Sequence, residues 1–77
     1  MDLRGLFATN LRRLRSEAGV SQEELADLAQ IDRAHISRIE RELTYVGLEI
    51  IGKLAEVLKA DPAEFFRKPP RQKSKSG

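Results

Sequence analysis

Residues 21–41 read SQEELADLAQIDRAHISRIER, and this stretch decides the fold. Ser21 and Glu24 form a capping box, in which each side chain binds a backbone N–H of the other residue, so a helix is predicted to begin directly after Ser21. That helix is predicted to end near residue 30, and Asp32 is predicted to cap a second helix that continues to about residue 41. Because so few residues separate these two short helices, we expect them to cross steeply.

Apolar side chains at three- and four-residue spacing predict further helices on both sides of this pair. One helix is predicted from about Leu3 to Ala18 and another from about Leu48 to Lys59, with Leu48 in its apolar stripe. Leu28 is expected on the inner side of helix 2. A short fifth helix is predicted after Asp61, because an N-cap residue followed by Pro is a helix-start signal. The sequence therefore predicts an all-α, compact five-helix domain in which helices 2 and 3 form a helix-turn-helix.

Charge is distributed unevenly along the chain. The pI of about 9.3 suggests a nucleic-acid partner, yet residues 1–66 carry a net charge of −3 and residues 67–77 carry +5. Residues 69–77 are polar, basic and Pro-containing, so we predict a disordered basic tail that follows a domain of residues 1–68. Residues 21–32 carry −4, and they are expected to face largely away from any bound phosphates.

Composition excludes several kinds of site. The chain has 77 residues with no Cys and a single His. The absence of Cys excludes disulfides and thiolate sites. A single His does not form a metal site by itself, so no metal or cofactor is expected. It also lacks a recognisable pair of nucleophile and base, so an enzyme is not expected. No signal peptide is recognisable, and no apolar run approaches the roughly 20 residues of a spanning helix. A cytoplasmic protein without a membrane partner is therefore expected.

Two motifs carry a resemblance to a known family. The chain is similar to the Xre family of lambda-repressor-like helix-turn-helix regulators in residues 21–26, SQEELA, and in residues 36–41, ISRIER. The resemblance covers roughly residues 5–66. This chain differs from the family at three loop positions. Gln30 and Glu42 stand where Gly is common, and Gly47 stands where a Ser or Thr is common. A left-handed backbone at Gln30 would be tolerated less well than with Gly.

The resemblance implies that helix 3 reads DNA by placing its first turn in the major groove. Base contacts are expected from the outward residues Arg33, Ala34, Ser37 and Arg38. Two arginines among them can each donate two hydrogen bonds to a guanine edge. Contacts to the DNA backbone are expected from Gln22, His35, Arg41, Thr44 and Tyr45. The alternative interpretation is a solvated helix face, and for Tyr45 a shield over the edge of the core.

In similar proteins the positions of Arg15 and Glu40 form an ion pair, which implies that helix 1 is tied to the end of helix 3. This pair is expected to orient the reading helix and not to contact bases.

A core of this size is marginal alone, which favours a homodimer. Two adjacent phenylalanines near the end of the domain cannot both easily face one small core. We therefore expect one of them to pack inward near Phe7 and the other to join helix 4 in a two-fold interface. The candidate interface residues are Ile50, Val57, Phe65 and Phe66.

These features favour a sequence-specific transcriptional regulator that binds a palindromic site in double-stranded DNA as a homodimer. A small phage-like repressor and a restriction-modification controller protein both fit this description. The alternative is an antitoxin, which would neutralise a toxin protein and also bind DNA. The sequence alone does not separate these alternatives.

Overall fold

The computed structural model describes residues 2–68, and within that range it contains helices joined by turns and loops, with no strand. The elements, in chain order, are α1 (Leu3–Ala18), α2 (Gln22–Ala29), α3 (Arg33–Glu40), α4 (Leu48–Leu58) and a 3-10 helix (Pro62–Phe66). The predicted all-helical fold is confirmed, whereas the prediction of a fifth α-helix is wrong. The predicted tail at residues 69–77 lies outside the described residues.

The last element is a 3-10 helix because little chain is available to it. Asp61 caps its start by accepting a hydrogen bond from the N–H of Ala63 at 2.9 Å. The backbone is already extended at Arg67, with φ −72° and ψ 131°. Pro69 disfavours a helical conformation at the residue before it. Five residues between these limits suit the tighter 3-10 winding, which occurs in short pieces.

Local hydrogen bonds account for most of the predicted helix boundaries. Both halves of the capping box are present, because Ser21 Oγ accepts from the N–H of Glu24 at 3.0 Å and Glu24 Oε1 accepts from the N–H of Ser21 at 2.9 Å. Asp32 occupies the N-cap position of α3, but its side chain makes no capping bond. The backbone carbonyl of Asp32 instead accepts a hydrogen bond from the N–H of His35 at 2.9 Å. This N–H is one that the side chain of an N-cap residue commonly binds.

The core lies between α1, α3, α4 and the 3-10 helix, with α2 packed against α3 and α4. The rings of Phe7 and Phe65 stack with their centroids 4.7 Å apart. The fully buried large apolar side chains of the core are Leu11, Leu25, Ile36, Ile39, Leu54 and Phe65. Leu28 and Leu48 were expected to face inward, and both are exposed, by 61% and 86%. In α2 only Leu25, Ala26 and Ala29 are buried, so the buried stripe of this short helix is narrower than predicted.

Among residues 2–68, three residues other than glycine adopt a left-handed backbone, with φ of 57° at Gln30, 63° at Glu42 and 54° at Lys59. The first two are the positions where the resemblance would have Gly, and the third ends α4. Glu42 turns its carboxylate toward α1, where a Cβ added at Gly5 would lie 3.2 Å from Glu42 Oε1. Gly5 therefore leaves room for this carboxylate beside the first turn of α1.

Within residues 2–68, no helix is long and apolar enough to span a bilayer.

Candidate nucleic-acid interface

One side of α3 is buried and the other is open. Ile36, Ile39 and Glu40 are the buried residues of this helix. Arg33, Ala34 and Arg38 are exposed, while His35 and Ser37 are half-buried. The four residues predicted to contact bases therefore belong to the accessible part of a short helix whose opposite side is fixed in the core.

Glu40 joins three elements at the end of α3. Its side chain is only 4% exposed and accepts hydrogen bonds from Arg15 at both oxygens, from Nε to Oε2 at 2.7 Å and from Nη2 to Oε1 at 3.1 Å. Gln22 Nε2 donates to the same Oε1 at 3.0 Å. Arg12 donates to the backbone carbonyl of Glu40. These bonds hold α1, the first turn of α2 and the end of α3 in one arrangement.

The first turn of α2 presents open hydrogen-bond donors beside this cluster. The N–H of Glu24 is capped by Ser21, and the N–H of Leu25 donates to the carbonyl of Ser21 at 2.9 Å. The backbone N–H groups of Gln22 and Glu23 have no acceptor among residues 2–68. A helix N-terminus with free N–H groups is suited to an anion such as a phosphate.

Two other candidates for DNA contact are next to each other on α3. Arg38 Nη2 lies 3.5 Å from His35 Nδ1, a distance at the weak limit of a hydrogen bond. Because His35 is half-buried and Arg38 exposed, the arginine is the more available of the two to a ligand.

The residues after α3 are brought near the start of α1. Arg41 is exposed, and Thr44 is half-buried with its hydroxyl donating to the carbonyl of Tyr45 at 3.3 Å. Tyr45 is 70% exposed, and the Arg4 guanidinium carbon lies 4.5 Å from the centroid of its ring. A hydrogen bond to the Asp2 carboxylate raises the pKa of Arg4. Tyr45 thus lies in a cation–π contact at the surface.

An acidic depression borders the exposed part of α3. Arg33 lines it together with four carboxylates, those of Glu23, Glu24, Asp27 and Asp32. These carboxylates therefore share a surface with Arg33, and the expectation that residues 21–32 face largely away from bound phosphates stays a prediction. The physical reason for the shared surface is the short turn after α2, which places the end of that helix beside the start of α3. Arg38 does not line this depression.

The predicted dimer residues are dispersed over the surface and the core. Phe65 is fully buried and is not available to a partner, so its assignment to an interface is wrong; stacking on Phe7 places it in the core. Ile50 and Val57 are half-buried against the core cluster. Phe66 is 39% exposed and lies at a separate apolar groove.

This apolar groove has a volume of about 220 Å³. Its lining residues are Leu3, Arg4, Phe7, Tyr45, Val46, Leu48, Ile51 and Phe66. Four of them are large apolar or aromatic side chains exposed by more than a third. An exposed apolar patch of this kind is typical of a surface that binds another molecule.

Asn10 is a buried polar residue of α1 whose role the sequence pattern did not predict. Asn10 is 2% exposed and its Nδ2 donates to the carbonyls of Phe65 at 2.9 Å and of Arg67 at 2.7 Å. Arg13 donates to Asn10 Oδ1 and also to the Glu64 carboxylate, each at 3.1 Å. These bonds attach the 3-10 helix to α1. The available signal was the position of Asn10, three residues after Phe7 and four before Leu14 in the apolar stripe.

Among residues 2–68 there is no cluster of His, Asp or Glu suited to hold a metal ion.

Comparison with known proteins places this geometry among DNA-binding regulators. Residues 11–65 match the family model HTH_3, described as helix-turn-helix. A Neisseria meningitidis protein named as a hypothetical transcription factor is 42% identical over 57 residues, which cover 74% of this chain and 54% of that protein. The chain thus spans about half the length of that relative.

Two further relatives are similar over more of their length. Control protein C.BamHI of Bacillus amyloliquefaciens is 36% identical over 66 residues, which cover 84% of this chain and 82% of that protein. The crystal structure of the restriction-modification controller protein C.AhdI from Aeromonas hydrophila superposes with a TM-score of 0.78 at 41% identity. That match covers 82% of this chain and 96% of the other.

Proposed function

The chain belongs to the HTH_3 family of helix-turn-helix proteins, which are of the lambda-repressor-like, Xre type, and from this premise we propose that it is a sequence-specific DNA-binding transcriptional regulator of the restriction-modification controller type. The observation that carries the proposal is the exposed side of α3, which presents Arg33 and Arg38 while Glu40 fixes the opposite side. The control proteins among its relatives favour this role over the antitoxin alternative. Binding, and not catalysis, is the proposed activity.

DNA recognition is assigned to two sets of side chains. The proposed base contacts are Arg33, Ala34, Ser37 and Arg38, because a helix in the major groove meets base edges through its exposed first turns. The proposed backbone contacts are Gln22, His35, Arg41, Thr44 and Tyr45. Residues 1–68 form the proposed DNA-binding domain. Arg38 is expected to contribute more affinity than Arg33, which shares a depression with four carboxylates.

We also propose that the protein pairs as a homodimer through the apolar groove. The exposed side chains of Leu3, Leu48 and Phe66 support this, because a domain with so small a core gains stability by covering such a surface. A two-fold dimer presents two reading helices about 34 Å apart and requires a palindromic site.

Selection of bound duplexes from random DNA tests the proposal directly, since it returns half-site, spacing and symmetry together. Arg38→Ala is expected to cost about 1–3 kcal/mol of binding free energy and to relax the preference at one base per half-site. Lys53→Ala is the matched control, because it removes the same charge from α4. Recovery of no enriched sequence with folded protein would contradict the proposal, as would equal losses in the two variants.

A further inference from the structure

His35 and Arg38 are neighbours on the accessible side of α3, because residues three positions apart in a helix lie beside each other. Arg38 Nη2 lies 3.5 Å from His35 Nδ1. His35 is half-buried and Arg38 is exposed, so the ring has less freedom to move than the guanidinium. Ile36 and Ile39 are buried in the core, and they fix the helix that carries both side chains.

Arg38 has no stronger partner among the described residues. The ion pairs formed within residues 2–68 do not include it, and its side chain makes no other hydrogen bond there than the contact with His35. An arginine that samples many rotamers loses this freedom when it binds, and the loss weakens recognition. A neighbour that restricts the rotamers beforehand reduces that loss.

The chemistry of the two groups defines what the contact requires. A guanidinium only donates hydrogen bonds, so His35 must accept at Nδ1, and its ring must be neutral with the proton on Nε2. A neutral acceptor orients the guanidinium without cancelling its charge, whereas a carboxylate would pair with it and reduce its attraction to DNA. The Nε2–H of His35 stays available for the proposed contact with the DNA backbone.

Protonation of the ring removes the acceptor. Histidine is the side chain whose charge ordinarily changes between roughly pH 5 and 8, and His35 is the single His of the chain. An imidazolium donates at both nitrogens, and it repels a guanidinium at this short distance. Acid therefore releases Arg38 and at the same time adds a positive charge to the accessible side of α3.

The other charged groups near α3 have different neighbours. This helix packs against α1 and α2. From α1, Arg12 and Arg15 donate hydrogen bonds to Glu40. The carboxylates next to α3 line the depression beside Arg33, which does not include His35, and they are those of Glu23, Glu24, Asp27 and Asp32. Within residues 2–68, Arg38 is thus the charged side chain at hydrogen-bond distance from the ring.

We propose that His35 is a positioning residue for base recognition, which in its neutral form orients Arg38 for the base edge that Arg38 reads and in its protonated form releases it. This inference rests on the proposed function, because it concerns a base contact of the reading helix. Acid is then expected to act in opposite directions on two kinds of binding. Affinity for random DNA rises with the added charge, while discrimination at the base pair read by Arg38 falls.

Discrimination is measured as the ratio of dissociation constants for two duplexes, by fluorescence anisotropy at one salt concentration. One duplex carries the selected site, and the other has a changed base pair at the position where Arg38→Ala relaxes the preference. A third duplex, changed at a base pair that Arg38→Ala does not affect, is the control. Each ratio is measured at about pH 7.5 and about pH 5.5, and folding is checked by circular dichroism at both.

Two variants separate the acceptor from the rest of the ring. His35→Asn supplies an acceptor oxygen near the place of Nδ1 but does not titrate, and His35→Leu supplies no acceptor. Both lose any contact of the ring with the DNA backbone, and this loss cancels in the ratio because such contacts carry no sequence information.

The ratio of the wild-type protein is expected to fall about three- to fivefold in acid, as for the loss of one hydrogen bond. His35→Asn should keep the ratio within about twofold of the wild-type value at both pH values, and His35→Leu should show the lower ratio at both. The ratio for the control base pair should not change with pH.

A wild-type ratio that is the same at both pH values would overturn the inference, and this measurement needs no variant that could fail to fold. An equal fall at the control base pair would overturn it too, since the effect would not pass through Arg38. Full discrimination by folded His35→Leu would have the same consequence. Failure of the wild-type protein to bind any selected duplex at the higher pH would instead refute the proposed function.

Discussion

Removal of Arg15 tests how much of the stability depends on the buried pair at the end of α3. In Arg15→Ala the Glu40 carboxylate, 4% exposed, would keep only the bond from Gln22. Breaking a buried ion pair by deleting one partner costs about 3–5 kcal/mol when the remaining charge is fully enclosed. The Arg15 side chain is 20% exposed, so water can reach part of the vacated space, and we expect about 2–4 kcal/mol.

That loss is large for a domain of this size. A free energy of unfolding of roughly 0.05–0.15 kcal/mol per residue gives about 3–10 kcal/mol for the described part of the chain. A change of 1 kcal/mol shifts the melting temperature of such a domain by roughly 4–8 °C. Arg15→Ala is therefore expected to lower the melting temperature by about 8–32 °C, measured by circular dichroism at a fixed protein concentration.

Arg33→Ala is the matched control, because it removes the same charge from an exposed side chain and is expected to cost less than about 0.5 kcal/mol. Adding Glu40→Gln to Arg15→Ala is expected to restore part of the loss, because the uncompensated charge is then gone. An Arg33→Ala protein that melts below Arg15→Ala would refute the reasoning. A loss below about 1 kcal/mol in Arg15→Ala would refute it too, since the pair would then be no stronger than a surface ion pair.

Four further outcomes are expected. Gln30→Gly should raise the free energy of unfolding by about 0.5–1 kcal/mol in urea titrations, because φ is 57° there and Gly adopts that conformation without steric cost. Hydrogen bonds from two arginines lower the pKa of Glu64. The Glu64 carboxylate therefore stabilises the fold at pH values above its ordinary pKa of 4.5, and this stabilisation is lost as the pH falls below that value. Glu64→Gln should flatten this loss of stability in acid, measured by thermal melts. Phe66→Ser should shift the sedimentation coefficient from dimer toward monomer, and a monomeric wild-type protein at micromolar concentration would contradict the dimer. Asp27→Asn should raise DNA affinity more than Glu56→Gln, since the first removes a charge from the depression beside α3; equal effects would show that only net charge matters.

Local signals account for what the sequence predicted well. The bounds of α1 agree with the prediction, and the capping box at Ser21 marks the start of α2, because both depend on neighbouring residues alone. The left-handed backbone at Gln30 and Glu42 coincides with positions where similar proteins have Gly. The short distances between Arg15 and Glu40 occur where the resemblance implied a pair. The roles of these residues in DNA binding stay predictions.

The errors have a common physical origin in tertiary contacts. Periodicity placed Leu28 inside, but the helix buries only the residues for which a neighbouring element is present. The adjacency of two phenylalanines did not indicate which one is stacked on Phe7. Burial of Asn10 depends on backbone carbonyls more than fifty residues away, which no local pattern reveals. The acidic depression beside Arg33 arises because a short turn brings two helix ends together.

The position of the charges, and not their sum, determines how such a domain can bind DNA. Residues 1–66 carry a net charge of −3, so the folded part has little general attraction for a polyanion, and its non-specific affinity should be weak. Favourable binding then depends on a few close contacts, each of which requires the correct base or phosphate to be in reach. Glu40 is neutralised by Arg15, and carboxylates beside α3 penalise a phosphate that approaches in the wrong register. Such an arrangement of charges lowers the affinity for random DNA more than the affinity for the specific site, which favours discrimination over raw affinity.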